Sequence, residues 1–254
     1  MLINSYQQRC MRAQSKRENV LRFLRDETWS NLTNLAGVLG LSEPAAFKTV
    51  CQMERDGFLL RFKVNALRLS LWGTTPQGLA FAWGDDEVMQ IRPYFEPSKL
   101  SVMTVAHYLD IQRARLIAER AGWTNWIPGN RLPKDIKKRP DAIATNTEGQ
   151  IVAIELERSI KTLKRYEAIF AIYLQMMKRD EYAKVHYVCP DASFAPRLIR
   201  MFELIKAVPV AGERVPITEK HRARFPVYAL DNWPPRDNIH IKSERFLFIQ
   251  ANTS

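Results

Sequence analysis

The segment Ile151-Val152-Ala153-Ile154-Glu155-Leu156-Glu157 constrains the fold more than any other, because a short aliphatic run of this kind reads as a strand buried in a sheet. Side chains alternate across a strand, so Ala153, Glu155 and Glu157 share one face while Val152, Ile154 and Leu156 share the other. Upstream, Asp141-Ala142-Ile143-Ala144-Thr145 has the pattern of a second strand, and Asn146-Thr147-Glu148-Gly149 has the composition of a hairpin turn. If Asn146 pairs with Gln150, Asp141 falls opposite Glu155, and a slightly wider register sets it opposite Glu157. Cross-strand neighbours lie about 5 Å apart at Cβ, close enough for Asp141, Glu155 and Glu157 to reach one ion.

Acids turned inward on an aliphatic strand are costly unless something compensates them. A divalent ion is one compensation: Mg²⁺ or Mn²⁺ takes hard oxygen ligands, activates water and neutralises charge that builds on a phosphate. A structural network of ion pairs, with Lys161 or Arg165 as partners, is the other. The metal site is the stronger expectation, because it suits an enzyme acting on nucleic acid.

Charge points the same way. The chain of 254 residues carries 38 Lys and Arg against 27 Asp and Glu, a formal charge of +11 with a pI near 9.7. Such an excess favours a polyanion as partner, nucleic acid first and an anionic membrane second. No stretch approaches the roughly 20 apolar residues of a spanning helix, and Met1-Leu2-Ile3-Asn4-Ser5-Tyr6 lacks the charged segment and apolar core of a signal peptide. The expectation is a cytoplasmic protein without membrane insertion. Cys10, Cys51 and Cys189 are scattered and without CxxC spacing, so they read as reduced structural thiols. His107, His186, His221 and His240 are isolated in sequence and read as structural or exposed rather than as ligands.

Residues from about 16 to 83 follow the order helix, helix, helix, hairpin of a winged helix-turn-helix domain, placed within residues 1–96. Val20, Leu21, Phe23 and Leu24 mark one apolar helix face, and Leu32, Leu35, Ala36 and Val38 another. Ser42 fits an N-cap, Pro44 fits the first turn, and the third helix runs toward Arg55 with Ala46, Val50 and Met53 inward. Lys48, Thr49, Gln52 and Arg55 are then available to a DNA groove. Leu59 to Trp72 form the candidate wing, turning near Asn65-Ala66, with Arg61 and Lys63 on one face and Lys63 opposite Arg68. Dimerisation is the competing role for this domain.

Pro93, Pro97 and Ser98 suggest a boundary, so a second domain spans residues 97–254. It opens with a helix from about Val102 to Gly122, carrying Glu119 near its end. The basic run Lys134, Lys137, Lys138 and Arg139 leads into Pro140-Asp141 and suits a phosphate backbone. Ile160, Leu163, Tyr166, Phe170, Tyr173 and Met177 trace a helical stripe that reads as core, with Lys161 and Lys164 beside it. Val185 to Cys189 is another strand and Ala195 to Ile205 another helix, giving a mixed α+β (α/β) chain.

The order helix-strand-strand-strand-helix-strand over roughly residues 100–235, with Pro140-Asp141 and Glu155-Leu156-Glu157, resembles the PD-(D/E)xK nuclease superfamily. The usual motif lysine is replaced by Glu157. The resemblance implies Asp141, Glu155 and Glu157 as metal ligands, Glu119 as a further acid on the first helix, and Lys161 or Lys164 as a lysine moved to the next helix. With a winged helix in front, Arg139-Pro140-Asp141-Ala142 and Glu155-Leu156-Glu157-Arg158 ahead of Lys164 and Tyr173 resemble the replication-relaxation family of plasmid mobilization proteins. That resemblance implies recognition and nicking of double-stranded plasmid DNA at the transfer origin, alongside a mobilization accessory or coupling protein. The paired-histidine pattern of other relaxases is absent, so activated water is the expected nucleophile. A restriction or repair endonuclease, and a non-enzymatic replication or transcription regulator on a decayed nuclease fold, are the alternatives.

Overall fold

The structure, a computed structural model, describes residues 6–235; the readings placed on residues 1–5 and on His240 lie outside the described residues, as does the rest of 236–254. Helices α1 (Tyr6–Glu27), α2 (Leu32–Leu39) and α3 (Glu43–Arg55) bury Val20, Leu21, Leu24, Leu35, Val50 and Met53 against one another, the apolar faces expected from their spacing. Gly40, at φ 61°, ends α2. Ser42 does precede α3, but its side chain makes no cap hydrogen bond. Asn31 caps α2 instead, accepting from the Asn34 amide at 2.9 Å.

Strands β2 (Leu59–Val64) and β3 (Leu69–Thr74) form the expected hairpin, and the short strand β1 (Trp29–Asn31) adds beside β3 to give the order β1-β3-β2. The hairpin's register differs from the expectation. Lys63 pairs with Ser70 and Val64 with Leu69, so Arg68 is not the cross-strand partner of Lys63. The cause is the loop: Asn65–Leu67 makes a 3₁₀ turn that Arg68 closes at φ 52°, where a tighter turn at Asn65-Ala66 was expected. After α4 (Pro76–Ala80), the chain returns across this sheet. A Cβ on Gly73 would sit 2.3 Å from the Phe95 side chain, so glycine is what lets Phe95 close over β3.

Helix α5 (Val102–Arg120) is buried on several sides. Val105 and Leu109 pack with Val64, Leu71 and Phe95; Leu116 enters the core of α1 to α3; and Ile111, Ala114 and Ala118 face a second sheet. That sheet has the order β10-β7-β6-β5-β4, made of β4 (Thr124–Pro128), β5 (Ala142–Thr145), β6 (Ile151–Leu156), β7 (Lys184–Cys189) and β10 (Val227–Ala229). β4, β5 and β6 run antiparallel, while α6 (Leu163–Lys178) crosses over so that β7 lies parallel to β6. α6 and α7 (Ala195–Glu203) cover one face through Tyr166, Phe170, Tyr173 and Phe202, and α5 covers the other with Trp123 and Trp233. The hairpin β8 (Ala207–Val210) and β9 (Glu213–Pro216), followed by α8 (Glu219–Arg222), completes the chain before β10. The order α5-β4-β5-β6-α6-β7 is therefore helix, three strands, helix, strand.

The β5–β6 register is the narrower one expected. The Asn146 amide donates to the Gln150 carbonyl at 2.9 Å, Gly149 closes the turn at φ 78°, and Ala142 pairs with Ile154. One step further along the ladder, Asp141 stands beside Glu155.

Candidate functional site

Asp141 is fixed on three sides where β5 begins. Its amide donates to the Ile154 carbonyl at 3.0 Å, and its carbonyl accepts from the Gly129 amide at 2.7 Å. A Cβ on Gly129 would lie 2.2 Å from the Pro140 carbonyl oxygen, so this approach requires glycine. The Asp141 carboxylate accepts from the Leu156 amide at 2.7 Å through Oδ2 and meets His107 Nε2 at 3.2 Å through Oδ1. That hydrogen bond raises the His107 pKa above its ordinary value, with burial opposing.

Glu155 and Glu157 follow along the face expected. Both are buried, at 7% and 3% exposure, which is why each needs a partner. Glu155 Oε1 accepts from Lys138 Nζ and from the Tyr173 hydroxyl. Burial raises the Glu155 pKa, the Lys138 ammonium opposes that shift, and the negative charge of Asp141 adds to it. Glu157 pairs with Lys161, whose amide in turn donates to the Tyr166 hydroxyl at 3.2 Å. Tyr187, register partner of Glu155 on β7, has a buried hydroxyl with no hydrogen-bond partner among the described residues. Burial and then the charges of Glu155 and Glu157 push its pKa well up.

The described residues contain no group of three or more His, Cys, Asp or Glu arranged to hold a metal ion. Asp141 and Glu155 are neighbours and offer hard oxygens, so they fit the two-carboxylate arrangement in which Mg²⁺ usually sits. Glu157 does not join them: Lys161 holds it, as the ion-pair alternative anticipated, while Arg165 has no part in the cluster. Glu119 is a correction. It pairs with Arg115 at 2.7 Å, twelve positions along α5 from His107, or roughly 18 Å of helix. Lys164 is also displaced, being exposed at the start of α6 without an ion pair to any of these acids. Lys138, assigned from sequence to the DNA backbone, turns inward to Glu155, while Lys137 and Arg139 remain exposed. His107 and the hydrogen bond of Tyr173 were missed, since spacing along a helix does not reveal which strand end the helix crosses.

A cleft of about 580 Å³ opens beside Asp141, walled by β1, the first turns of α5 and the loops at Gly129 and Arg139. It reaches Asp141 and His107 but not Glu155 or Glu157.

On the N-terminal sheet, α3 presents Lys48, Gln52 and Arg55 to solvent together with the 38% exposed Phe47. Arg55 donates to Gln52 at 2.7 Å, and Gln52 donates to Asp56 at 2.7 Å. Thr49 departs from the expected role: it is half-buried, with its hydroxyl turned back to the Ala45 carbonyl at 3.5 Å. The Arg61 guanidinium lies 5.0 Å over the Trp72 ring and 5.8 Å from the Phe47 ring, and Lys63 and Arg68 are exposed on the same hairpin.

No family model matches the chain, and no curated protein matches it. Among solved structures it is similar to a double mutant of Lactococcus lactis ZitR in the apo form, with 22% identity and a TM-score of 0.25, over 30% of this chain and 58% of that one. The chain thus spans less than two thirds of that neighbour, and a likeness of this size carries no argument.

Proposed function

We propose that the protein is a metal-dependent DNA endonuclease that nicks one strand of a plasmid at its transfer origin, a mobilization relaxase of the replication-relaxation family similar to the MobC relaxases. On this reading residues 1–96 form a winged helix-turn-helix that selects the site, and residues 97–254 a PD-(D/E)xK core that cuts. The observation that carries the reading is Asp141 beside Glu155 at one end of the sheet, with Lys138 paired to Glu155, in a helix-strand-strand-strand-helix-strand frame. A coupling or accessory protein as partner follows from the family resemblance alone. Among the described residues no helix is long and apolar enough to cross a membrane.

Asp141 and Glu155 would hold Mg²⁺ or Mn²⁺, which when bound neutralises phosphate charge and lowers the pKa of water. The Leu156 amide and the Tyr173 hydroxyl orient the two carboxylates. Lys138, paired with Glu155, would contact the scissile phosphate, and Arg139 would hold the strand beside it. Lys48, Gln52 and Arg55 would meet base edges while Arg61, Lys63 and Arg68 meet phosphates.

A second reading has its own observation. His107, Lys138 and Lys161 each pair with one acid of the cluster, an arrangement that suits a non-enzymatic DNA-binding protein on the same fold. Incubating the protein with a supercoiled plasmid carrying the cognate origin, with Mn²⁺ or Mg²⁺ and then with chelator, separates the readings. Metal-dependent open circles support the nickase and linear product supports a restriction-type enzyme. Origin binding without any cutting supports the second reading.

A further inference from the structure

We propose that the cleft beside Asp141 binds a single unpaired nucleotide of the strand to be cut, so that the substrate at the point of attack is single-stranded. This deepens the nuclease reading and rests on it. The cleft, about 580 Å³, lies within the range of small-ligand sites. One wall is aromatic: the Trp29 and Tyr108 rings meet edge to face at 6.1 Å, and Tyr108 meets His107 at 6.0 Å. Tyr108 is the outermost of the three and keeps 39% of its surface exposed, which leaves a ring face for a base. Arg139 and Asn130 also line the cleft, both exposed and with side chains that make no ion pair or hydrogen bond among the described residues, while the Arg139 carbonyl accepts from Lys138 Nζ at 3.0 Å. A guanidinium suits a phosphate and a carboxamide suits a base edge.

Asp141, its side chain 24% exposed, lines this cleft together with Trp29 of β1 and with Gly129 and Asn130 of the loop after β4. On this proposal a base leaves the stack to bring its phosphate there, as it does for other enzymes that act on buried positions of a duplex.

The test uses the full-length protein with chelator present, so that no cleavage is read. A strand carrying 2-aminopurine is titrated as a single strand and as a duplex. Wild type should quench the single strand, and Tyr108→Ala should lose the quench and bind that strand about tenfold more weakly while keeping its duplex affinity. Tyr108→Phe should restore both. Single-strand affinity and quench unchanged in Tyr108→Ala would overturn the proposal. If Tyr108→Ala also loses duplex binding, Arg139→Gln decides: a selective loss of single-strand affinity supports the cleft, and no selective loss overturns it. Failure of the nuclease reading looks different, since a protein that never nicks plasmid can still show Tyr108-dependent quenching.

Discussion

Glu155 owes its position to the strand but its state to its neighbours. Parity along β6 turns it inward, and Lys138, Tyr173 and Asp141 then set the balance of charge around it. On the proposed reaction, Asp141→Asn and Glu155→Gln should each lower nicking by about a hundredfold or more while origin binding, measured by electrophoretic shift, stays within twofold. Tyr173→Phe removes only the hydrogen bond that steadies Glu155, so it should cost about tenfold and leave detectable nicking. End-labelled origin DNA denatured in detergent should carry no protein, and a labelled protein band lost in Tyr173→Phe would replace water with a tyrosine nucleophile. His186 lies on the other face of the same sheet, accepting from Trp233 Nε1 at 3.0 Å, and burial lowers its pKa to about 3. Its folded pKa is below the unfolded value, so the unfolded chain binds the extra proton first. Stability should therefore fall as pH drops below about 6.5, by up to about 1.4 kcal/mol per pH unit from this group. Urea denaturation at pH 7 and pH 5 should show this drop, and His186→Gln should flatten it.

At the scale of elements, the two hairpins teach opposite lessons about legibility. The β5–β6 register was readable because the Asn146–Gly149 turn is short, its glycine carries the positive φ, and one buried face forbids a slip of one residue. The β2–β3 register was not, because Arg68 closes a 3₁₀ turn in a conformation that a basic side chain does not announce. α5 was found as a helix, yet its scattered apolar residues hid that it serves several cores at once. The exposed cations of α3 and its hairpin bear on duplex binding. Replacing Arg61, Lys63 and Arg68 with alanine should weaken binding to origin duplex and lower the slope of log affinity against log salt by about three, if each contacts one phosphate. The same slope in variant and wild type would move this domain to dimerisation.

Across the whole molecule, α5 ties the N-terminal sheet to the site. Gln112 donates to the Trp29 carbonyl at 2.7 Å and accepts from Ser30 Oγ at 2.6 Å and Asn34 Nδ2 at 3.2 Å. Arg115 reaches Glu27 at 2.8 Å, Asp26 at 3.2 Å and Glu119 at 2.7 Å. Burial raises the Glu27 pKa despite Arg115, and the Glu27 side chain is only 6% exposed. Arg115→Ala should then destabilise by about 3–5 kcal/mol, because it strands a buried carboxylate. The deficit should shrink as pH falls and Glu27 takes up a proton. Chemical denaturation of the variant should show both, and a loss below 1 kcal/mol at pH 7 would mean that Glu27 finds another partner. The sequence by itself determined what is local and periodic: the helix faces, the buried strand, the turn that places Asp141 opposite Glu155, and the basic charge. Only tertiary structure decided which cation meets which acid, that Glu119 lies a helix-length away, and that His107 and Tyr108 line a cleft with Arg139. Those outcomes depend on the approach of segments far apart in the chain, which no local propensity encodes.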